Sequence, residues 1–462
     1  MELQRNIYKK LIDWKSNNNG KSSILIEGAR RVGKTTIATK FAKENYSSYA
    51  LLDLSKISPK LKQSFLNNMN NLDLLFQDIQ LETGTNLKPR KSVIVFDEIQ
   101  SFPKAREAIK HFVADGRYDF IETGSLISIK ENVENIIIPS EEDKIKMYPL
   151  DFQEFVSTRK ESVLYDYLNN CFLEKKTPDK HYHERAMRLF YEYLLVGGMP
   201  SAVSEYIDNN LSFYKAEAAK QKILQLYNDD IKKSQNKYQL KVSRIFSNIP
   251  RDLSTHSKTV RLSNFPNEKL RFGDYDSSLY RLSDAMLCNL CYKSNDPNIG
   301  FELTADSSEL KCYLFDTGLL FTQAFSESQI KNNNLFEAII SGKLSLNKGM
   351  LFENIIAQML VSMGHKLYFY SHYNLESKRN DIEIDFLLSN NNVEKPKIVP
   401  IEVKSSKNFT TTSFDLFKKK FKKRVDVSLV ISPKLFKIDK ENKIIYLPPY
   451  MLPFIDPENL QI

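Results

Sequence analysis

The stretch "GARRVGKTT", Gly28 to Thr36, constrains this chain more than any other. It fits the pattern G-x-x-x-x-G-K-[ST], with an apolar strand pattern, "SSILIEG", before it and a helical one, "KTTIATKFAKEN", after it. A strand that turns through glycines into a helix aims several backbone N–H groups and the positive end of the helix dipole at one small volume. Phosphate oxygens suit that volume. On this reading Gly28, Ala29, Arg30, Arg31, Val32, Gly33, Lys34, Thr35 and Thr36 form the nucleotide cradle. Lys34 reaches the β- and γ-phosphates, and the Thr35 hydroxyl ligates Mg²⁺, which takes oxygen ligands. The expected cofactors are therefore ATP and Mg²⁺.

A second motif, "SVIVFDEIQ", supplies the carboxylates. Val93 to Phe96 drive a strand into a sheet, and Asp97 emerges at its C-terminal end, where ligands of open α/β sheets bind. Asp97 joins Thr35 as a metal residue. Glu98 orients and polarises the attacking water, because hydrolysis of a phosphoanhydride needs positioning and charge stabilisation more than covalent chemistry. At the end of the next strand pattern, "ETGS" offers Thr123 and Ser125 to the γ-phosphate or the water; the alternative is that they cap a helix. Lys34, Glu98 and Ser125 are the candidate catalytic residues.

The remainder of the chain is organised around these motifs. Its 462 residues exceed one ordinary core. Strands alternate with helices over 1–150, the pattern of a parallel sheet with crossover helices. Residues 151–233 read as helical, 234–333 as a winged-helix-like region, and 334–462 as helix followed by strands. The expected fold class is α/β: a P-loop NTPase sheet, helical and winged-helix-like regions, then an α/β C-terminal domain, which the resemblance described below implies to be nuclease-like. No apolar run approaches a membrane span, and the N-terminus lacks the pattern of a secretory leader, so cytoplasm is the expected address. Four cysteines make no disulfide framework. Cys288 and Cys291, in C-x-x-C spacing, read as half-buried thiols on one helix. With 66 Lys and Arg against 57 Asp and Glu, the net charge of +9 admits a polyanionic partner such as DNA through the C-terminal half, or a lysine-rich composition with no partner.

The C-terminal stretch "DIEIDFLLSN", followed by "KIVPIEVKSS", carries a second set of chemistry. Two strands joined by a return bring Asp385 beside Glu402, and Lys404 shares the Glu402 face because strand residues two apart point together. Glu353, on the helix "GMLFENIIAQML", is placed to complete a metal-binding cluster. The bland alternative is acidic–apolar alternation on a half-exposed hairpin. The run "LFKKKFKKR" reads either as a grip on a nucleic-acid backbone or as a helix with Phe417 and Phe421 inward and lysines in water. Tyr368, Phe369, Tyr370 and Tyr373 offer base-stacking rings or core strand residues.

Together "GARRVGKTT", "VIVFDEIQ", "ETGS", "YPLDFQEF", "YLLVGGMP", "YNDDIKK" and "KCYLFDTGLL" resemble a widespread prokaryotic group of AAA+-type ATPases with a C-terminal domain of unknown function. The D-x(n)-E-x-K arrangement of Asp385, Glu402 and Lys404 resembles the PD-(D/E)XK nuclease fold. The resemblance spans nearly the whole chain and implies ATP hydrolysis with a second domain that binds or cleaves DNA; a non-enzymatic switch with an inactive nuclease-like domain is the alternative. Relatives carry a Gly-Arg pair shortly before the "PL-F-EF" motif, and this chain has no arginine in "IIIPSEEDKIKMYPLDFQEF". That leaves Arg30, Arg31, Arg106 and Arg117 as nearby arginines, or a residue from another subunit of a homo-oligomer.

Overall fold

The computed structural model describes residues 3–125, 139–233, 239–255, 258, 272–298, 300–325, 334–340, 348–376, 379–390, 397–457 and 460. The chain forms two compact units, one mainly Gln4–Tyr148 and the other mainly Pro149–Ser283 with Leu287–Ile462.

The first unit runs α1 (Ile7–Asn18), β1 (Ser23–Gly28), α2 (Lys34–Asn45), β2 (Ser48–Asp53), α3 (Pro59–Asn67), α4 (Leu72–Thr83), β3 (Ser92–Asp97), α5 (Pro103–Asp115), β4 (Asp119–Gly124) and β5 (Glu142–Met147). Its sheet has the order β2-β3-β4-β1-β5, and every pairing is parallel. Parallel strands are covered on both faces, which is why β1 and β3 are nearly continuous apolar runs. Ile24, Ile26, Val93, Val95 and Ile121 pack on one face against Leu11 of α1 and Phe41 of α2. Leu25, Ile94, Phe96 and Phe120 pack on the other with Phe112 of α5. The fifth strand has no counterpart in the sequence reading. Its residues, "EDKIKM", are mostly charged and exposed or half-exposed at the sheet edge, so hydrophobic alternation does not mark it.

The second unit begins with helices α6 (Phe152–Thr158), α7 (Ser162–Leu173), α8 (Lys180–Val196), α9 (Pro200–Asp208), α10 (Phe213–Lys233), α11 (Gln239–Ser254) and α12 (Phe272–Asp284). There follow β6 (Cys288–Ser294), β7 (Ala305–Leu314), α13 (Thr317–Ala324), α14 (Asn334–Ile340), α15 (Lys348–Ser362), β8 (Leu367–Asn374), β9 (Arg379–Ile384), β10 (Phe386–Asn390), β11 (Lys397–Val403), α16 (Thr412–Lys420), β12 (Ser428–Ile431), β13 (Lys437–Asp439) and β14 (Ile444–Leu447). The strands form two sheets, β7-β6-β8-β9 and β10-β11-β12-β14-β13. The parallel β6–β8 pairing joins the 234–333 segment to the 334–462 segment in one sheet.

Two local expectations are corrected. Cys288 and Cys291 lie on β6 and are buried strand residues, not helical ones. The run from Ile382 to Asn390 is not one strand: it breaks at Asp385, with β9 pairing β8 in one sheet and β10 pairing β11 in the other. Apolar alternation continues across the break, so the pattern alone does not show the change of sheet.

The motif residues of "YPLDFQEF", "YLLVGGMP" and "FDTGLL" meet in one buried joint. Asp151 and Glu154 form a reciprocal capping box at the start of α6. The Leu150 N–H donates to the Gly198 carbonyl (2.7 Å), and the Gly198 N–H donates to Asp316 Oδ2 (2.6 Å). Tyr193 Oη donates to the Leu150 carbonyl at 2.8 Å and accepts from Gln358 Nε2 at 3.0 Å. Gln358 and Asn354 sit on α15, a helix buried continuously from Met350 to Leu360, and both bond the Thr317 hydroxyl. A Cβ on Gly198 would stand 2.2 Å from the Leu150 carbonyl oxygen. Gly198→Ala is therefore expected to lower the unfolding free energy by about 3 kcal/mol, read as a shifted urea midpoint; an unchanged midpoint would show that the joint yields.

Candidate functional site

The phosphate loop begins where β1 ends. Gly28 pairs in register with Met147 of β5, and a Cβ at Gly28 would lie 2.5 Å from the Met147 carbonyl oxygen. Its role is close approach between strands. Backbone freedom is needed further on, at Gly33 (φ 101°), the residue before α2. Arg31 also has positive φ (68°), and Arg30 and Arg31 are both exposed at the loop. Ala29 and Val32 are buried beneath it.

Lys34 is 7% exposed, and its ammonium donates to the carbonyls of Gly28 and Ala29, each at 2.9 Å. Burial pushes its pKa down to about 8, against the opposing pull of Glu98 and Asp97. At the tip of β3, Asp97 Oδ1 accepts from Thr35 Oγ1 at 2.7 Å and also from the Thr123 hydroxyl of β4. Three oxygen-bearing side chains thus meet where β1, β3 and β4 end, a donor set that fits Mg²⁺. Glu98 follows in a left-handed conformation (φ 56°), with its carboxylate accepting from Gln100 Nε2. Ser125 lies just beyond β4 and is partly buried, and Thr36 is exposed on the first turn of α2. Gln100 was not among the residues singled out in the sequence, although it closes the same "DEIQ" motif.

The neighbouring arginines are in part committed elsewhere. Arg106 is buried in a two-pronged pair with Glu142, Nε–Oε2 2.8 Å and Nη2–Oε1 2.7 Å. Arg117 pairs with Asp115 and Asp73. Neither guanidinium is free to meet a phosphate. Arg5 is a neighbour of the loop that no motif announces: its guanidinium donates to the Val32 carbonyl at 2.9 Å.

In the second unit, Asp385 and Glu402 stand at neighbouring positions of the β10–β11 ladder, whose register pairs Phe386 with Ile401. Asp385 Oδ2 accepts from the Val403 N–H at 2.8 Å. Lys404 Nζ is 2.6 Å from Glu402 Oε1, and Glu402 Oε2 is buried without a partner. Glu353 lies next to Asp385, but two lysines join them. Lys258 Nζ is 2.7 Å from Glu353, and the fully buried Lys311 of β7 is 3.3 Å from Glu383 and 3.9 Å from Asp385. Burial pushes Glu353 up to about 8, with the Asp385 charge adding to it. Burial also opposes the charge on Asp385, yet a hydrogen bond from Glu353 and the ammonium groups of Lys258 and Lys311 hold its pKa below the usual carboxylate range. Glu402 is pushed up to about 7, mainly by burial. Ammonium groups thus pair with Glu353, Asp385 and Glu402. Among the described residues no group of three or more His, Cys, Asp and Glu side chains is arranged to hold a metal ion. Lys311 escaped notice in the sequence; its signal is a lone lysine inside the apolar run "LKCYLF".

The basic run is helical as far as Lys420 and then turns, with a core face: Phe417 is buried, and Phe417 and Phe421 pack on the Tyr370 ring at 5.2 and 5.3 Å. Tyr368, Phe369 and Tyr370 are core residues, and Tyr373 is exposed. Among the described residues no helix is long and apolar enough to cross a membrane.

Comparison with known families agrees with this geometry. Residues 20–156 match an AAA domain. The matched segment lies almost wholly in the first unit and covers less than half of the chain. Residues 187–329 match a domain of unknown function, DUF8612, and 348–450 match another, DUF4143. No curated protein matches the chain. Among solved structures, the chain is similar to a Walker-type ATPase of Pyrococcus abyssi, PABY2304, at 14% identity and TM-score 0.41, covering 70% of this chain and 96% of that one. It is also similar to the Aeropyrum pernix ORC1 protein solved with DNA (11% identity, TM-score 0.26, 71% and 93% covered). A third is AMPPCP-bound DnaA of Aquifex aeolicus (9%, TM-score 0.26, 75% and 93%).

Two outcomes follow from these sites. In the first unit, a polyphosphate held by the loop would keep Lys34 charged, whereas burial lowers the pKa of the free ammonium to about 8. Below that pH this group leaves nucleotide affinity unchanged. Above it, binding takes up a proton and affinity falls by up to about tenfold per pH unit. Calorimetry across pH 7 to 9.5 measures this, and a flat profile would contradict it. In the second unit, Lys311→Met strands Asp385 and Glu383 without their buried cation. It is expected to cost about 3–5 kcal/mol in denaturant unfolding, and an unaltered midpoint would contradict the assignment.

Proposed function

We propose that the AAA domain binds ATP with Mg²⁺ and hydrolyses it, and that the second unit is the partner-binding part of an ATP-dependent switch. The observation that carries this is Asp97 Oδ1 receiving both the Thr35 and the Thr123 hydroxyls beside a buried, carbonyl-seated Lys34. Thr35 and Asp97 would hold the Mg²⁺, which supplies charge neutralisation at the phosphate oxygens. Lys34 swings from the Gly28 and Ala29 carbonyls to the β- and γ-phosphates. The loop N–H groups and the α2 dipole take up negative charge that grows as the bond breaks. Glu98 orients the water, with Thr123 and Ser125 at the neighbouring strand end. With Arg106 and Arg117 paired to carboxylates, an arginine for turnover would come from Arg30 or Arg31 at the loop or from another subunit.

Phosphate release with purified protein tests this reading. Glu98→Gln is expected to retain ATP while turnover drops at least about a hundredfold. Lys34→Ala is expected to lose ATP binding. Equal release by wild type and Glu98→Gln would rule hydrolysis at this site out.

Metal-dependent DNA cleavage by Asp385, Glu402 and Lys404 is the competing reading for the second unit. The lysines on Glu353 and Asp385 favour binding over cleavage. Lys419, Lys422 and Lys423 are exposed on and after α16 and suit phosphodiester backbones. Supercoiled DNA with Mg²⁺ or Mn²⁺ is expected to stay intact while binding weakens with salt. Cleavage that Asp385→Ala abolishes would establish the nuclease instead.

A further inference from the structure

Arg5 sits just ahead of α1, far in sequence from what it bonds. One arm of its guanidinium, Nη1, donates to the Val32 carbonyl within the phosphate loop at 2.9 Å. The other, Nη2, donates to the Tyr148 carbonyl at 2.5 Å. Tyr148 is the last residue of its stretch in the first unit, and Pro149 opens the second. The loop touches this exit at a second point, where Gly28 abuts the Met147 carbonyl. Any shift of the loop backbone around a triphosphate is therefore felt at Met147 and Tyr148 through one tight packing contact and one planar, permanently charged fork.

Beyond Pro149 the chain enters the buried joint of the second unit. Leu150 is held on both polar groups, by the Gly198 carbonyl and by Tyr193 Oη. Tyr193 is in turn bonded by Gln358 of α15, the helix that carries Glu353 of the carboxylate cluster. Such a joint is close-packed: a Cβ on Gly197, Gly198 or Gly318 would come within 2.2 to 2.4 Å of a neighbouring oxygen. Packed joints shift between discrete arrangements rather than deform smoothly, so a small pull on Leu150 has few ways to dissipate.

We propose that Arg5 is a positioning residue that ties the phosphate loop to the Tyr148 carbonyl, so that nucleotide occupancy is reported through Tyr148–Leu150 to the joint at Tyr193, Gly198 and Asp316. The inference rests on the nucleotide reading of the AAA domain. It gives the buried motifs of the second unit a part in coupling, where their geometry offers none in the chemistry.

Hydrogen–deuterium exchange on the full chain, with and without AMPPNP and Mg²⁺, tests it. In the wild type, nucleotide is expected to slow exchange in the phosphate loop and to change it at Leu150 and at 194–199. Arg5→Met is expected to keep the loop protection, with affinity within about tenfold of wild type, and to lose the remote change. Arg5→Lys, whose single nitrogen cannot reproduce the fork, is the second variant should Arg5→Met melt early; it too is expected to lose the remote change. Persistence of that change in either folded variant would overturn the inference. So would a wild type that protects its loop but alters nothing at Leu150. A wild type with no loop protection at all would overturn the nucleotide reading, and the inference with it.

Discussion

Everything in the first unit depends on how β1 ends. The strand is gripped on both edges, by β4 and by β5, in parallel register, and it stops at Gly28 because only a residue without a side chain fits against the Met147 carbonyl. That close approach fixes where the loop departs from the sheet. From there the turn at Gly33 and the first residues of α2 follow, and Lys34 and Thr35 reach the same small volume as the tips of β3 and β4. Asp97 needs no loop of its own. The buried run Val93 to Phe96 holds it at the sheet edge, and the parallel order of strands brings it within hydrogen-bond distance of Thr35.

The parts of this arrangement that chemistry demands in sequence were readable in sequence. A phosphate cradle needs glycines, a lysine and a hydroxyl at set spacing along one turn, and a metal carboxylate needs an apolar strand in front of it. What the sequence hid are the contributions that act through backbone carbonyls or along an edge. Arg5 serves two carbonyls far along the chain, so no local spacing betrays it. β5 is an edge strand of charged residues, and its membership of the sheet is set by backbone pairing with β1. The motifs around Leu150, Gly198 and Asp316 were conspicuous as a signature. Their physical content, a joint too tight for any Cβ, shows only once three distant segments are brought together.

The second unit shows why a short acidic motif underdetermines its chemistry. Asp385, Glu402 and Lys404 meet as the strand pattern suggests, yet the change of sheet at Asp385 and the lysines at 258 and 311 come from elements that the motif does not include. Buried carboxylates have to be neutralised somehow. Metal ions and ammonium groups are two solutions. This chain has the second in place.

The central claim is that the loop from Gly28 to Thr36, with Asp97, grips a magnesium-bound adenine nucleotide. Isothermal titration of the full chain with AMPPNP, run with Mg²⁺ and again with excess EDTA, tests it most directly. Saturable binding that weakens when Mg²⁺ is removed and again when Asp97→Ala is introduced is the predicted result. Absence of binding, or binding indifferent to both Mg²⁺ and Asp97, would contradict the account.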